Sequence, residues 1–393
     1  MPCGASCTVV YSLRATPADC VGGAGLRPSC RGEAIEDAPA IADDEGMQSM
    51  PSLLELAPQQ LQGWFAERGL PAFRAAQVWR WLFQRRAAAL DEMSDVPKSV
   101  RRQLAGDFCI WTSRVAAHRK AADGSEKLLL QLHDAERIEC VLLREGSQRR
   151  TICISTQVGC AMGCVFCASG LGGLVRNLTS GEILEQMLHL KRLLGRDERL
   201  SHIVVMGMGE PLANLDALLP ALATAAGPDG LGISARRITI SSVGLPQGIR
   251  RLAEQDCQYH LAVSLHAADD ELRSRLVPVN RKVGIASILA AADYYFQRTG
   301  RRVTFEYILL TGLNDRPEHA RRLATLLKGR PALVNVIPYN PVAGLLYRGP
   351  LPAAVARFVE TLKRGGLNAK IRRRKGAEID AACGQLRRGV GSG

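Results

Sequence analysis

Apolar positions along this chain change their spacing several times, and each change predicts a different kind of element. Residues 53–104 carry Leu, Phe, Val and Trp at helical spacing, interrupted once by the sequence GLP, which predicts a small domain of short helices. Residues 126–157 contain the apolar runs EKLLLQLHDA, RIECVLLRE and RRTICISTQ, which predict strands. Residues 1–48 mix Pro, Gly, Ala, Asp and Glu without either period, which predicts a disordered extension.

Strand and helix patterns alternate along the rest of the chain. The predicted strands are HIVVMGM, RRITISSVG, YHLAVSLHA, RVTFEYILL and ALVNVIPY, and the helices between them include GEILEQMLHLKRLL, LPQGIRRLAEQ, ASILAAADYYFQR and EHARRLATLLKG. Such alternation predicts an α/β fold with a parallel sheet, either open or closed into a barrel. Ligand groups in such folds gather at the carboxyl ends of the strands.

These patterns divide the chain into segments. We expect a disordered extension over residues 1–48, a helical accessory domain over 49–108, a β-rich connecting segment over 109–152, an α/β core over 153–388 and a tail over 389–393. The helical domain is rich in arginine and lysine, which makes it a candidate for RNA binding. For any single basic residue there, an ordinary solvated helix face is the better explanation of the charge.

Charge and hydropathy narrow the class of partner. The 393 residues include 51 Lys and Arg against 38 Asp and Glu, a net charge of +13. This excess favours a polyanionic partner, nucleic acid before an anionic membrane, although a basic surface without a specific partner would look the same. The sequence contains neither an apolar run long enough to span a bilayer nor a secretory signal pattern. We therefore expect a cytoplasmic protein, monomeric and away from the membrane.

Three cysteines form the strongest chemical motif. Cys160, Cys164 and Cys167 have the spacing CxxxCxxC on a short loop after a predicted strand. Structural zinc takes four ligands, and iron–sulfur clusters are ordinarily held by four cysteines, so three thiolates suit a 4Fe–4S cluster with one iron left open to bind a ligand. A buried trio of cysteines or a partial zinc site is the alternative. CxxxCxxC with Phe166 before the last cysteine resembles the radical S-adenosylmethionine (SAM) superfamily.

Polar residues follow several of the later predicted strands, where they would surround one edge of the sheet. The segment Gly-Met-Gly-Glu-Pro follows HIVVM, and the other residues end ITIS, AVSLH and VIPYN. The candidate SAM contacts are Gly209, Glu210, Ser241, Ser264, Leu265, His266 and Asn340. Any one of them could merely cap a helix or a turn, and only their shared placement favours a binding site.

Two further cysteines and a carboxylate are candidates for catalysis. Cys383 lies near the end of the chain after the basic run RRRK, and nearby positive charge favours a thiolate. Cys153 precedes the three-cysteine loop on the strand that leads into it. Glu139 lies on the preceding predicted strand, in RIECV.

The combined motifs resemble the RlmN/Cfr family of radical SAM RNA methyltransferases. They are TICISTQVGCAMGCVFCASG, GMGEP, ITISSVG, AVSLHA, IPYNP and IDAACGQL, and the resemblance runs from about residue 53 to residue 388. It implies a partial (β/α)6 TIM-type barrel with a small N-terminal helical domain and a short β-extension. The sequences RNL and IDAACGQL are closer to the RlmN branch, whose members methylate carbon 2 of an adenine in 23S ribosomal RNA and in some tRNAs. Cfr enzymes methylate carbon 8.

The resemblance also implies a mechanism. Cys383 takes a methyl group from one SAM, and a second SAM, cleaved at a 4Fe–4S cluster held by the three-cysteine loop, supplies a radical that activates this methyl group. The methylene radical then joins the adenine, Glu139 is the implied proton acceptor, and Cys153 releases the product through a transient Cys153–Cys383 disulfide. An external electron donor such as flavodoxin is implied as well.

Some positions depart from the family pattern. The connection from Glu139 to Cys153 is one residue longer than expected, which leaves the neighbouring Cys140 as a competitor if the alignment shifts. ITISSVG is a variant of the usual pattern, so Ser242 is the alternative to Ser241. Two other functions stay open: a Cfr-type or other radical SAM enzyme, and a non-catalytic iron–sulfur protein that binds RNA.

Overall fold

The structure is a computed structural model that describes residues 50–146 and 148–387. The extension predicted for residues 1–48, with its four cysteines, and the tail predicted for residues 389–393 lie outside the described residues.

The first described segment is helical, as the apolar spacing predicts. Its helices are α1 (Pro58–Glu67), α2 (Phe73–Phe83) and α3 (Lys98–Asp107), preceded by a 3-10 turn at Leu53–Glu55. Pro58 begins α1, where a proline removes no helical hydrogen bond. The apolar faces bury Phe65, Trp79 and Leu104 in the core.

An antiparallel meander follows the helices. Its strands are β1 (Arg114–Lys120), β2 (Glu126–Gln131), β3 (Arg137–Glu145) and β4 (Arg149–Cys153). The sequence analysis did not predict β1, because nearly all of its residues are exposed and it carries no apolar alternation. The register of β3 with β4 places Val141 opposite Cys153, which decides which side chains share a face.

Beyond β4 the sheet becomes parallel. A separate two-stranded ribbon, β5 (Gln157–Gly159) with β6 (Leu174–Asn177), comes first in the chain. The parallel strands that follow are β7 (His202–Val205), β8 (Ile238–Ser242), β9 (His260–Ser264), β10 (Val303–Leu309), β11 (Ala332–Pro338) and β12 (Asn368–Ile371). The order of the large sheet is β1-β2-β3-β4-β7-β8-β9-β10-β11-β12, with β4 and β7 to β12 parallel. The α/β class is therefore confirmed, with a mixed sheet.

Helices connect the parallel strands. They are α4 (Ser180–Arg192), α5 (Leu215–Ala226), α6 (Pro246–Ala253), α7 (Asp270–Leu276), α8 (Asn280–Val283), α9 (Ile285–Thr299), α10 (Pro317–Leu327) and α11 (Pro352–Arg364). A capping box begins α4: Thr179 Oγ1 accepts from the Glu182 amide, and the Glu182 carboxylate accepts from the Thr179 amide. None of the helices in the described ranges is long and apolar enough to cross a membrane.

Candidate active site

The three-cysteine loop connects β5 to β6 and is folded by backbone hydrogen bonds. The Cys160 amide donates to the Gly173 carbonyl at 2.9 Å, and the Val165 amide donates to the Leu276 carbonyl at 3.1 Å. Gly159 has a φ of +78°, and a Cβ there would lie 2.0 Å from the Gly173 oxygen, so only glycine fits. These contacts turn Cys160, Cys164 and Cys167 toward one cavity, which all three line.

The chemistry of this thiol set suits a cluster better than a single ion. Burial raises the pKa of Cys160 to about 11, and burial followed by the neighbouring cysteines raises the pKa of Cys164. Within the described ranges, no group of three or more His, Cys, Asp or Glu side chains is placed to hold one metal ion. A four-iron cluster is wider than a single ion, so its thiolate ligands stand farther apart, and sulfur donors are its usual ligands. The three cysteines therefore fit a 4Fe–4S cluster.

The GMGEP segment lies against the strand that leads into the cysteine loop. A Cβ on Gly207 would be 2.6 Å from the Ile154 oxygen, and one on Gly209, whose φ is +100°, would be 2.6 Å from Gln157. Glu210 is buried, and its two carboxylate oxygens accept from the Leu212 and Val243 amides at 3.0 and 2.9 Å. Burial raises the pKa of Glu210 to about 7. The glycines are thus required by close packing, and Glu210 joins two strand ends at the cavity.

Ser241 and Ser264 both line the same cavity, at the ends of β8 and β9. Ser242 also lines it, but its hydroxyl accepts from the Gly244 amide at 2.9 Å, which commits Ser242 to the turn. Ser241 is therefore the better candidate for a SAM contact.

A buried arginine fixes these strand ends. Arg273 is fully buried, and its guanidinium donates to the carbonyls of Val243, Ser264 and Leu265. Its remaining partner is the Asn280 side-chain oxygen. Burial lowers the pKa of Arg273 to about 10. The sequence analysis did not single out this residue, because an arginine in a short helix carries no signal of burial.

His266 and Leu265 are adjacent in sequence but face different environments. His266 lines the cavity, packs edge-on against the Phe166 ring and accepts the Ile308 amide at its Nδ1 at 3.1 Å. Burial lowers the pKa of His266 to about 3, so the ring is neutral. The Leu265 side chain belongs to the main hydrophobic core, and only its backbone is near the site. Leu265 as a side-chain contact is thus not supported by its position.

Cys383 lies between two cavities. It lines the cavity of the three cysteines and also a larger one, about 720 Å³ in volume, which Cys153 lines as well. Both cysteines are free thiols, so no disulfide joins them in this structure. Asn340 lines the larger cavity, not the first, and its side chain donates to the Cys383 carbonyl at 3.3 Å.

Arg372 extends from the end of β12 into both cavities. Its guanidinium lies 3.8 Å from the Glu306 carboxylate, and its side chain is 25% exposed. The nearby Cys383 raises the pKa of Arg372 most, followed by Glu306 and Cys153 against the opposing effect of burial. Burial raises the pKa of Cys153 to about 12. Arg372 belongs to the basic run RRRK, and in the structure it is directed toward Cys153 and Cys383, the two candidate catalytic cysteines.

The larger cavity is strongly basic. Its charged lining residues are Glu145, Arg149, Lys370, Arg372, Arg373, Arg374 and Lys375. Six cations against one carboxylate make this cavity attractive to a polyanion. The basic run near the chain end and the β3–β4 hairpin, far apart in sequence, thereby contribute to one surface.

Glu139 contacts the chain segment that carries Cys383, residues 380–387, but lines neither of the two cavities. Its carboxylate pairs with Lys127 at 2.7 Å and accepts from the Arg387 amide at 2.9 Å. Residues Glu139 and Val141 share one face of β3, and Cys153, opposite Val141, is on that face too. Cys140 points to the other face, where it is fully buried. The register therefore excludes Cys140 from the face that carries Cys153.

Comparison with known proteins identifies the family. The Radical SAM superfamily model matches residues 154–324, and the model of the ribosomal RNA large subunit methyltransferase N-terminal domain matches residues 52–110. A protein of Rhodopirellula baltica named "Probable dual-specificity RNA methyltransferase RlmN" is 60% identical over 339 residues, which is 86% of this chain and 91% of the relative. This chain belongs to the RlmN family of radical SAM methyltransferases.

A second relative and a solved structure support membership of the same family. A protein of the same name from Symbiobacterium thermophilum is 46% identical over 355 residues, 90% of this chain and 95% of the relative. The crystal structure of a radical SAM methyltransferase from Sphaerobacter thermophilus has a TM-score of 0.83 and 41% identity, and the match covers 86% of this chain and 99% of that one. Family membership confirms the resemblance in the sequence and implies a 4Fe–4S cluster and SAM as cofactors.

Proposed function

We propose that this protein methylates carbon 2 of an adenine in 23S ribosomal RNA, and also in tRNA, with Cys383 as the methyl carrier and two SAM molecules per turnover. The observation that carries the proposal is the position of Cys383 between the three-cysteine cavity and the basic cavity. A methyl carrier has to meet SAM on one side and RNA on the other. The names of the relatives, which refer to dual-specificity RNA methyltransferases, support the same substrate class.

The three-cysteine cavity is the proposed cofactor site. Cys160, Cys164 and Cys167 would hold the cluster, and a bound cluster would supply one-electron reduction of SAM. Gly209, Glu210, Ser241, Ser264 and His266 line the same cavity and are the proposed SAM contacts. An external one-electron donor such as flavodoxin completes the requirements.

Carbon 2 of adenine is electron-poor and cannot displace the methyl group of SAM directly. The Cys383 thiolate can, because sulfur is a strong nucleophile and the Arg372 guanidinium stabilises negative charge nearby. In the mechanism that the resemblance implies, the Cys383 methyl group becomes a methylene radical that bonds to carbon 2, and the adduct then gives up the ring proton and one electron, which returns to the external one-electron carrier. The Cys153 thiolate, which lines the basic cavity together with Cys383, attacks the Cys383 sulfur; the sulfur–carbon bond breaks, its electron pair stays on the methylene carbon, and that carbon takes up a proton to become the product methyl group. The resulting Cys153–Cys383 disulfide would be reduced by an external thiol before the next turnover. Glu139 is the proposed acceptor of the ring proton, a role for which its carboxylate would have to exchange Lys127 or the Arg387 amide for the RNA.

The basic cavity is the proposed entrance for the RNA. Its cations attract phosphates, and an adenine splayed out of its stack would enter toward Cys153 and Cys383. Substrates of this kind place the reaction in the compartment that holds ribosomes, the cytoplasm. The helical segment over residues 58–107 is a further candidate for RNA contact, and the protein is proposed to act as a monomer.

The deciding experiment is anaerobic reconstitution of the protein with iron and sulfide, followed by reaction with SAM, a one-electron reductant and a 23S ribosomal RNA fragment, and mass spectrometry of the digested RNA. We expect 2-methyladenosine from the wild-type protein and none from Cys383→Ala. Formation of 8-methyladenosine would assign the protein to the Cfr-type alternative. Full turnover by Cys383→Ala would refute the methyl-carrier role, and binding of RNA without any methylation would favour a non-catalytic function.

A further inference from the structure

The segment that carries Cys383 is held at both ends by one pair of side chains from the antiparallel strands. At the first end, Lys127 Nζ donates to the Asp380 carbonyl at 3.2 Å. At the other end, the Arg387 amide donates to Glu139 Oε2 at 2.9 Å. Lys127 Nζ and Glu139 Oε1 are 2.7 Å apart, so the pair closes a ring of contacts around residues 380–387.

Burial makes this pair more than a surface ion pair. The side chains of Lys127 and Glu139 are 7% and 8% exposed. A buried charge is stable only when it is paired and hydrogen-bonded, and here each carboxylate oxygen has its own donor. Lys127 lies between Glu126 and Leu128 on β2, and the strand register places it on the same face as Glu139. Its ammonium is therefore held between the Glu139 carboxylate and the Asp380 carbonyl.

We propose that Lys127 is a positioning residue: with Glu139 it clamps both ends of segment 380–387 and thereby sets where Cys383 lies between the two cavities. The inference rests on the proposed function in so far as Cys383 is taken as the methyl carrier. The contacts themselves are independent of that assignment.

The middle of the segment is fixed from the opposite side. The Ala168 amide, in the three-cysteine loop, donates to the Gly384 carbonyl at 2.8 Å, and Asn340 donates to the Cys383 carbonyl. Ser169 Oγ also donates to the Leu386 carbonyl at 2.6 Å, and Gln385 Nε2 donates to the Pro341 carbonyl at 2.7 Å. Together with the contacts at the two ends, these hydrogen bonds leave Cys383 little freedom. Reactions between held groups are fast only when the groups are held within a fraction of an ångström, so loss of the end anchors slows transfer even if Cys383 itself is unchanged.

The test measures amide hydrogen exchange in the reconstituted holoenzyme, without RNA, for the peptide that spans residues 380–387. The variant is Lys127→Met, which keeps an unbranched apolar stem of similar length. The control is His118→Gln, which alters another side-chain contact of the same meander, between His118 Nε2 and Glu126 Oε2, that does not touch the segment. We expect exchange in residues 380–387 to rise roughly 10- to 100-fold in Lys127→Met, as for loss of a charge-assisted hydrogen bond, and to stay at the wild-type rate in His118→Gln.

A second variant guards against a simple folding defect. Lys127→Met leaves the buried Glu139 carboxylate without its partner charge. The double variant Lys127→Met/Glu139→Gln removes both charges, so no buried charge is left unpaired. The clamp is supported if hydrogen exchange rises in residues 380–387 of the double variant while its iron content and melting temperature stay near the control values. Wild-type exchange in that segment, or an equal rise throughout the chain of the double variant, overturns it.

Activity adds a separate outcome. The rate of 2-methyladenosine formation should fall by roughly 10-fold or more in Lys127→Met, because Cys383 is held less firmly. If the wild-type protein forms no 2-methyladenosine, the proposed function is refuted while the exchange result still decides the clamp.

Discussion

At the scale of single residues, the site depends on charged groups whose partners lie far away in sequence. Arg273 has four acceptors, which follow β8, lie at the end of β9 or begin α8, and two of them, the Val243 and Ser264 carbonyls, belong to residues that line the cavity of the three cysteines. A guanidinium has five donors in a planar fork, which suits this task better than an ammonium. The residue therefore links the strand ends that present Ser241 and Ser264.

Removal of Arg273 should be costly. Arg273→Met leaves buried carbonyls without donors, so we expect the free energy of unfolding to fall by about 3 to 5 kcal/mol. Urea unfolding followed by circular dichroism measures this loss. The control is Arg275→Met, an exposed neighbour on α7, which should change stability by less than about 0.5 kcal/mol. Equal effects of the two substitutions would contradict the structural role of Arg273.

The two cysteines of the meander should behave differently. Cys153→Ala removes the thiol proposed to release the product, so we expect a covalent RNA–protein adduct to accumulate, seen as a retarded band on a denaturing gel. Cys140→Ala alters only the opposite face of β3, and its turnover should stay within roughly 2-fold of wild type, with a stability cost of about 1 kcal/mol. An adduct in the Cys140 variant, or its absence in the Cys153 variant, would show that the faces are assigned wrongly.

At the scale of elements, α4 is joined to the segment before β1 by the Glu185 carboxylate and by His189, whose ring lies against Trp111 and whose Nε2 is 3.3 Å from Ser113 Oγ. Glu185 accepts from the amides and hydroxyls of both Thr112 and Ser113, at distances from 2.5 to 2.9 Å. Burial nevertheless raises the pKa of Glu185 to about 7, well above its ordinary value. Burial lowers the pKa of the neighbouring His189 to about 4, so its imidazole is neutral between pH 5 and pH 7.

This raised pKa predicts a pH dependence of stability. A carboxyl whose folded pKa exceeds its unfolded value contributes most at low pH, and the contribution is lost as pH rises toward the folded pKa. Between pH 5 and pH 7 the wild-type protein should therefore lose about 2 kcal/mol relative to Glu185→Gln. Chemical unfolding of both proteins across this range measures the difference, and the contribution of His189 cancels because both proteins contain it. A constant difference across the range would refute the assignment.

The elements were predictable to different degrees. Strands β7 to β11 follow from apolar runs because both faces of a parallel sheet are buried. Strand β12 buries little beyond Ala369 and was not predicted, although it carries Arg372 into the site. Helix α5 contains Pro220, which interrupts the helical pattern on which a prediction depends.

At the scale of the whole molecule, several of the basic residues that give the net charge of +13 are gathered at one surface. Basic residues from β4, β12 and the segment after β12 surround the larger cavity, which makes this surface the proposed path of the RNA. Binding through phosphates releases counterions, so affinity falls with salt in proportion to the number of contacts.

The location of the charge can be tested by salt dependence. Arg373→Gln/Arg374→Gln removes two exposed cations of the larger cavity, and the slope of log K against log salt should become shallower by about 1 to 2. Fluorescence anisotropy with a labelled RNA hairpin measures the slope. The matched control, Arg298→Gln/Arg321→Gln, removes the same charge from α9 and α10, and neither residue lines the larger cavity or the cavity of the three cysteines. An equal change in both double variants would mean that only the total charge matters.

The sequence by itself determined the α/β class, the three-cysteine motif and the family, because strand burial and ligand spacing are local properties that a linear pattern records. Only the tertiary structure decided that Cys383 lies between two cavities, that Cys140 faces away from Cys153, and that Lys127 and Glu139 hold both ends of the Cys383 segment. These facts depend on strand register and on contacts across more than two hundred residues of sequence, such as Lys127 with Asp380. A buried ion pair has no period and no spacing, so nothing in the linear sequence could reveal it.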